Sequence, residues 1–586
     1  MQFFRKEVTS ASPEPKGFRE GVWLILILSA VVRFHDISLP YFWTDEAWTA
    51  LVSVQSPAMI LFHVGHDVHP PLYFLLLHLW IQLFGDSVLA LRAMSAVAGI
   101  LAVALGMWLM RLLGTARETL LAGLFMALLP ISVRYSQEAR MYALEAALLL
   151  GSTIALVYWL RSARDRYLAG YVVLMTAALY THYLAILCLA AHCLYLVALR
   201  VQGDRALHVL SRARIWGAWL IIAMAYVPWL VVLADEVIVH NEAFKIGGEI
   251  FWIPAPSSYT LPSAIWRFLT LRSRTEMITS VYLLLPVLVM VSALWVVFTD
   301  RSRLRVGLLL LIYSFFPVLA TFLASFLLPI FVERYVAFAA IGLTMLLALT
   351  VTRVAQRAPI LGGIVVLLIL GLECAGLHVM YAQQDDLDDP RNATLRPLAQ
   401  IVGSINERAI PGDTIIVYGD YWYFTVAYHS RFGIQPLLYE PASDSTHDNQ
   451  PNGYGTSTLI YRDRDRLFLE DLSSLSGSIK RVWWVSFAGS AEVDQPVPAN
   501  WQCLLLQEAG EMSLRLYSIQ VHDVVRQGVT DNRCPRLGDK NQALDRQSDS
   551  PSQRQNFSRR HTPIFMQSMF SGIAWTSVQW QTGASK

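Results

Sequence analysis

Residues 21 to 381 are a succession of apolar blocks, many about as long as a bilayer's hydrocarbon core is thick, joined by short polar connections. In lipid such a chain must satisfy its backbone amides internally, so it folds as a bundle of transmembrane helices. At about twenty residues per crossing, spans are expected near 20–36, 87–110, 119–133, 142–160, 168–182, 183–200, 215–234, 278–298, 306–330, 335–352 and 360–381, about eleven in all. Residues 383–586 instead read as polar sequence with short apolar runs, the pattern of a water-facing part. Composition agrees, with 55% hydrophobic and only 15% charged residues. A net charge of +2 with no basic stripe on a soluble fold excludes a nucleic-acid footprint.

Lys and Arg gather in one alternate set of connections: Arg5, Lys6, Lys16 and Arg19; Arg111 and Arg117; Arg161, Arg164 and Arg166; Arg200 to Arg214; Arg301 to Arg305; Arg353 and Arg357. Short cytoplasmic loops carry this excess, so segment 1–19 is expected in the cytoplasm and the loop 38–86, which has no Lys or Arg, outside. The polar N-terminal stretch, with no small-residue cleavage pattern after the first apolar run, reads as leading into an uncleaved span. The alternation holds only if Leu72 to Phe84, too short to cross comfortably, lies at the interface. An odd number of spans then puts 383–525 outside as an extracytoplasmic domain. One loop breaks the rule: 235–277 carries Lys245, Arg267, Arg272 and Arg274, which makes these candidates for holding a ligand. Its length and its Trp252, Tyr259 and Trp266 make it a candidate lid.

The first outward loop contains Leu39-Pro-Tyr-Phe-Trp43-Thr-Asp45-Glu46-Ala-Trp48, then His63, His66, Asp67 and His69-Pro70-Pro71-Leu72-Tyr73. An acidic pair in a loop is ordinarily solvated and idle. Here it sits between tryptophans in a loop stripped of positive charge, and the two prolines fix where His69 points. With the HPPLY lead-in to an interfacial helix and Ser136-Gln137-Glu138-Ala139-Arg140-Met141-Tyr142 after the third span, the region 20–381 resembles the GT-C glycosyltransferases. It is most similar to the family of protein O-mannosyltransferases and lipid A aminoarabinose (ArnT-like) transferases, glycosyltransferase family 39.

The resemblance implies a GT-C fold, a polytopic helical membrane domain (20–382) with interfacial helices in its first outward loop, beside a small extracytoplasmic α/β domain. It implies transfer of a monosaccharide from a polyprenyl-phosphate donor to a hydroxyl acceptor, with inversion, using Asp45 as base and Glu46 as its supporting neighbour. The phosphate that leaves requires cations or donors near the membrane surface. Arg134, Arg140 and Arg334 at outer span ends, with Lys245, His69, Glu138 and Tyr142, are the candidates. Snorkelling anchors or structural ion pairs are the alternative for the arginines. His69 departs from the Lys of some ArnT-like relatives and agrees with the mannosyltransferase-like HPP; a neutral His donates one hydrogen bond rather than a fixed charge. His63, His66, Asp67, His69, His182 and His240 match no strong metal motif, so a divalent cation at His66 and His69 stays a secondary reading.

From about residue 395 the periodicity changes. Leu395–Glu407 suits an amphipathic helix and 413–418, 481–487 and 503–505 suit strands. Cys188, Cys193 and Cys374 lie in apolar blocks and read as small hydrophobes, whereas Cys503 and Cys534 can pair if their domain is extracytoplasmic. The composition of 526–562 predicts disorder within a 526–586 tail. The rival reading is a transporter or flippase of lipid-linked sugars, which would place its charges near the bilayer midplane in repeated halves. No repeat is visible, and the candidate charges cluster at one surface. Nothing in the motifs distinguishes the sugar, or a lipid, glycan or protein acceptor.

Overall fold

The computed structural model describes residues 16–67, 69–201, 213–246, 253, 255–387, 392–430, 435–441, 455–475, 479–487, 497–520 and 534–536, without the side chains of 235–246, 392–396, 421 and 474. It divides into two compact units, 1–390 with 454–456, and 391–453 with 457–586.

The first unit is helical. Helix α1 (Phe18–Phe34) leads into three short helices, α2 (Thr44–Ser53), α3 (Pro57–Gly65) and α4 (Leu72–Phe84). Then follow α5 (Val88–Leu113), α6 (Ala116–Leu128), α7 (Pro130–Ser136), α8 (Tyr142–Ser162), α9 (Asp165–Leu179) and α10 (Ala185–Val201). The bundle is completed by α11 (Ala213–Ile246), α12 (Thr260–Thr270), α13 (Thr279–Thr299), α14 (Val306–Ala324), a 3-10 turn (Glu333–Val336), α15 (Ala337–Arg357) and α16 (Pro359–Tyr381). Local chemistry sets several starts. Ser56 accepts from Met59 N ahead of Pro57, and Thr115 with Glu118 closes a reciprocal capping box on α6.

Seven helices among the described residues are long and apolar enough to cross a membrane, and α6 with α7 makes an eighth if the bent pair is one span. The chain is thus an integral, multi-pass membrane protein. The remaining expected spans fall on the shorter helices α1 (17 residues), α9 (15) and α10 (17). Helix α4, the expected interfacial segment, is an apolar helix of 13 residues, short of a crossing.

Two expectations need correction. The span expected at 119–133 is not continuous but bends by 56° between α6 and α7. Pro130 has no N–H and its ring excludes the preceding turn's carbonyl, so Leu129 leaves the helical region (ψ 110). Nor is 235–277 one open loop. Helix α11 runs on to Ile246, and α12 buries Trp266, whose indole donates to Tyr282 O at 2.9 Å. The lid reading therefore loses its basis in missing structure; Trp252 lies outside the described residues.

The second unit carries α17 (Asn392–Arg408), β1 (Thr414–Tyr418), α18 (Asp420–His429), β2 (Leu437–Tyr439), β3 (Phe468–Leu469), β4 (Arg481–Phe487), β5 (Trp501–Ala509) and β6 (Met512–Ile519). These strands form one sheet in the order β3-β2-β1-β4-β6-β5, parallel from β3 through β4 and antiparallel beyond. Ile416, Tyr439, Val482, Trp484, Trp501 and Tyr517 pack one face. Strands β2 and β3 are too short to show a period in sequence, and so were not expected. Cys503 and Cys534 form a disulfide. The rest of the expected 526–586 tail, residues 534–536 apart, lies outside the described residues.

Candidate active site

Asp45 and Glu46 occupy the first turn of α2, where the helix dipole favours carboxylates. Successive helical residues point about 100° apart, and the two acids end in opposite surroundings. Glu46 is fully buried. Its Oε1 accepts from Arg92 Nε (2.8 Å) and Ala139 N (2.7 Å), and its Oε2 accepts from Arg92 Nη2 (2.6 Å). Arg92 also donates to the carbonyls of Ile37 (2.8 Å) and Pro40 (2.9 Å). Glu46 therefore ties the first loop, α5 and the 137–141 segment together.

Asp45 is 27% exposed at its side chain and faces two buried guanidiniums, with Arg140 Nη2 3.7 Å and Arg334 Nη2 3.9 Å from its Oδ2. Charge-assisted hydrogen bonds are about 2.7–2.9 Å, so both cations stand close without closing on the carboxylate. Arg140 donates to Thr49 Oγ1 (3.0 Å) and to His69 Nε2 (2.8 Å), and its backbone carbonyl accepts from Ser95 Oγ (3.0 Å). Arginine only donates, so His69 Nε2 must carry a lone pair, which puts the ring proton on Nδ1, donated to Asp67 Oδ2 at 2.7 Å. Burial and the Arg140 guanidinium hold His69 below the usual histidine range. His69 is thus a neutral orienter of Arg140. Arg334 lies over the rings of Trp43 (5.5 Å) and Tyr335 (5.3 Å), cation–π contacts that fix its head.

The other candidates sit differently. Arg134 pairs with Glu138 and, at 3.7 Å, with Asp385, which leaves Arg140 and Arg334 as the arginines that approach Asp45. Tyr142 opens α8 and packs against Tyr135, His182 and Tyr335. The side chain of Lys245 lies outside the described residues. His66 Nδ1 bonds Phe62 O at 2.8 Å. Among the described residues no three His, Cys, Asp or Glu side chains converge as a metal site requires.

The three arginines among the charge exceptions of 235–277 find partners inside the protein. Arg267 bonds Glu333 (2.5 Å) and Asp386 (3.2 Å), Arg272 donates to Gln384 O (3.2 Å), and Arg274 pairs with Glu276 (3.9 Å). Their departure from the charge rule reflects internal ion pairing and hydrogen bonding. Sequence reasoning missed Arg92, Thr49, Tyr335 and the packing role of His182. Arg92 carried a usable signal, a charge in the first turns of an apolar span; Thr49 and Tyr335 carried none.

Residues 68–231 match the family model described as dolichyl-phosphate-mannose-protein mannosyltransferase. No curated protein matches the chain by sequence. Among solved structures, ArnT from Cupriavidus metallidurans in the apo state aligns with a TM-score of 0.57 at 14% identity, over 84% of this chain and 97% of that one. The same enzyme bound to undecaprenyl phosphate aligns with a TM-score of 0.56 at 14% identity, over the same shares. The family match over residues 68–231 and the shared architecture across most of both chains show that this protein has a GT-C fold similar to that of ArnT.

Proposed function

We propose that this enzyme moves a monosaccharide from a polyprenyl-phosphate donor to a hydroxyl acceptor on the extracytoplasmic face, with inversion, using Asp45 as general base. The observation that carries the reading is a partly exposed carboxylate held opposite two buried guanidiniums that stop short of it. The donor is a phosphodiester with one negative charge. As the acceptor oxygen attacks C1 from the side opposite the phosphate, the C1–O bond to phosphate breaks and the acceptor proton passes to Asp45. The leaving phosphomonoester carries about two negative charges. Arg140 and Arg334 stabilise the charge that develops during the step, which is where electrostatic help accelerates a reaction. The lipid carrier is supported by the ArnT structure that binds undecaprenyl phosphate. Glu46, His69 and Thr49 act through others: they hold α2 and Arg140 in place. Arg134 with Glu138, and Tyr142, line the same segment, and Lys245 remains a proposed contact to the phosphate.

The domain reading follows: a cytoplasmic 1–19, a GT-C domain over 20–382, and an outer domain over 383–525. The disulfide that joins Cys503 of the last to Cys534 beyond it supports an oxidising compartment for this part of the chain. The test incubates the purified protein in nanodiscs with several polyprenyl-phosphate sugars and a hydroxyl acceptor, and measures polyprenyl phosphate released. Asp45→Asn is expected to lower turnover about 10²- to 10⁴-fold while leaving donor binding largely intact. Release by Asp45→Asn equal to wild type removes Asp45 from the chemistry. Sugar-lipid moved between leaflets with no release by wild type would instead establish the transporter.

A further inference from the structure

Below Asp45 and its arginines the structure holds a second polar group that the transfer step does not use. Glu145 lies in the first turn of α8, one turn after Tyr142, with its side chain 1% exposed. Its Oε1 has no hydrogen-bond partner in the protein, and neither has the buried Tyr142 hydroxyl. The nearest cation candidate, His182 Nδ1, is 3.4 Å from Oε1. That nitrogen, however, accepts the backbone N–H of Leu184 at 3.3 Å, so in the neutral ring it is a lone pair facing another lone pair. A buried carboxylate oxygen and a buried phenol left without partners each cost about 1–3 kcal/mol in a folded protein, and more for the charged group. Each such group calls for an explanation, and a ligand that supplies the missing partner is one.

The surroundings say what kind of ligand. Tyr142, His182 and Tyr335 form one aromatic cluster, with ring centroids 5.8 Å (Tyr142–His182), 5.3 Å (His182–Tyr335) and 6.4 Å (Tyr142–Tyr335) apart. Tyr335 in turn lies under Arg334, which faces Asp45. A chain of side-chain contacts therefore runs from Asp45 and Arg334, through the rings of Tyr335, His182 and Tyr142, to an acceptor-only carboxylate. Aromatic faces suit the C–H face of a sugar ring, and a carboxylate suits the O–H or N–H groups on its edge.

We propose that Glu145, with Tyr142, His182 and Tyr335, forms the subsite for the donor's sugar ring, Glu145 accepting a hydrogen bond from a ring hydroxyl or ammonium. This rests on the polyprenyl-phosphate reading above and adds the residues that select the sugar. Glu145 is a specificity residue here, outside the bond-making step.

The experiment compares affinities of the full-length protein in nanodiscs for bare polyprenyl phosphate, a polyprenyl-phosphate neutral hexose and a polyprenyl-phosphate amino sugar. The proteins are wild type, Glu145→Gln and Tyr142→Phe. Both variants are expected to bind the sugar lipids about tenfold more weakly or worse, while bare polyprenyl phosphate binds as in wild type. A larger loss for the amino sugar in Glu145→Gln assigns the ammonium; equal losses assign the hydroxyl. Unchanged sugar-lipid affinity, or equal loss of all three lipids, overturns the subsite. Should Glu145→Gln fail to fold, Tyr142→Phe decides by the same comparison. If wild type binds none of the lipids, the donor reading falls and the subsite with it, whereas tight wild-type binding with unaltered variants removes the subsite alone.

Discussion

At the scale of single residues, Asp45 and Glu46 show how adjacent positions in one helical turn separate a partly exposed carboxylate, the proposed base, from a buried fastening. Glu46 and Arg92 share two hydrogen bonds with almost no solvent contact (1% and 2% exposed). Removing one member of a buried pair leaves the other charge uncompensated and costs about 3–5 kcal/mol. Arg92→Ala is therefore expected to lower the thermal midpoint in detergent sharply, and activity with it, because Ala139 and Arg140 lose their anchor. An unaltered midpoint would mean that Glu46 finds another partner. Asp45→Asn behaves oppositely, with turnover lost and stability kept, and comparing the two variants separates positioning from chemistry.

At the scale of elements, the bend between α6 and α7 is held by a reciprocal clasp. Arg33, fully buried in α1, donates to the carbonyls of Met126 (3.3 Å) and Ala127 (3.0 Å), which the break at Pro130 releases from the helix ladder. It also reaches Ser132 (3.0 Å) and Ser136 (3.2 Å). Gln137 answers by donating to Arg33 O (3.1 Å) in the last turn of α1 and to His35 O (2.7 Å) just past its end. Gly99 makes room: a Cβ there would stand 2.1 Å from Ser136 Oγ and 2.9 Å from Arg33 Nε. Arg33→Lys keeps the charge but cannot span these acceptors. It is expected to destabilise by about 1–3 kcal/mol and to raise donor KM through the displaced 137–141 segment, both measurable on the purified enzyme. In the second unit, burial and the neighbouring Asp420 push the Glu440 carboxyl up to about 7 from an ordinary 4.5. The folded domain then binds a proton that the unfolded chain has lost. Stability from this group is thus present below pH 4.5 and falls as pH rises to about 7. Thermal unfolding of the full chain is expected to show that slope, and Glu440→Gln to flatten it.

At the scale of the whole molecule, the disulfide and the proposed orientation are checked together. In intact cells, after reduction, a membrane-impermeant maleimide is expected to label Cys503 and Cys534. Labelling only after permeabilisation would put the second unit on the other face. The sequence by itself determined the class: hydropathy over 21–381 dictates helices in lipid, most of the helices found lie on the expected spans, the broken α6–α7 pair and the longer α11 apart, and HPPLY with SQEARMY marks the GT-C type. The acidic pair was legible too, because a loop without Lys or Arg is visible in composition. What only the tertiary structure decided is which acid stays accessible, which arginines reach it, and that Arg267, Arg272 and Arg274 are taken up by internal partners. The physical reason is that hydropathy records how a residue meets solvent or lipid, whereas a site is set by lateral packing. Asp45, Arg140 and Arg334 meet because helices distant in sequence pack side by side, and no local pattern encodes those neighbours.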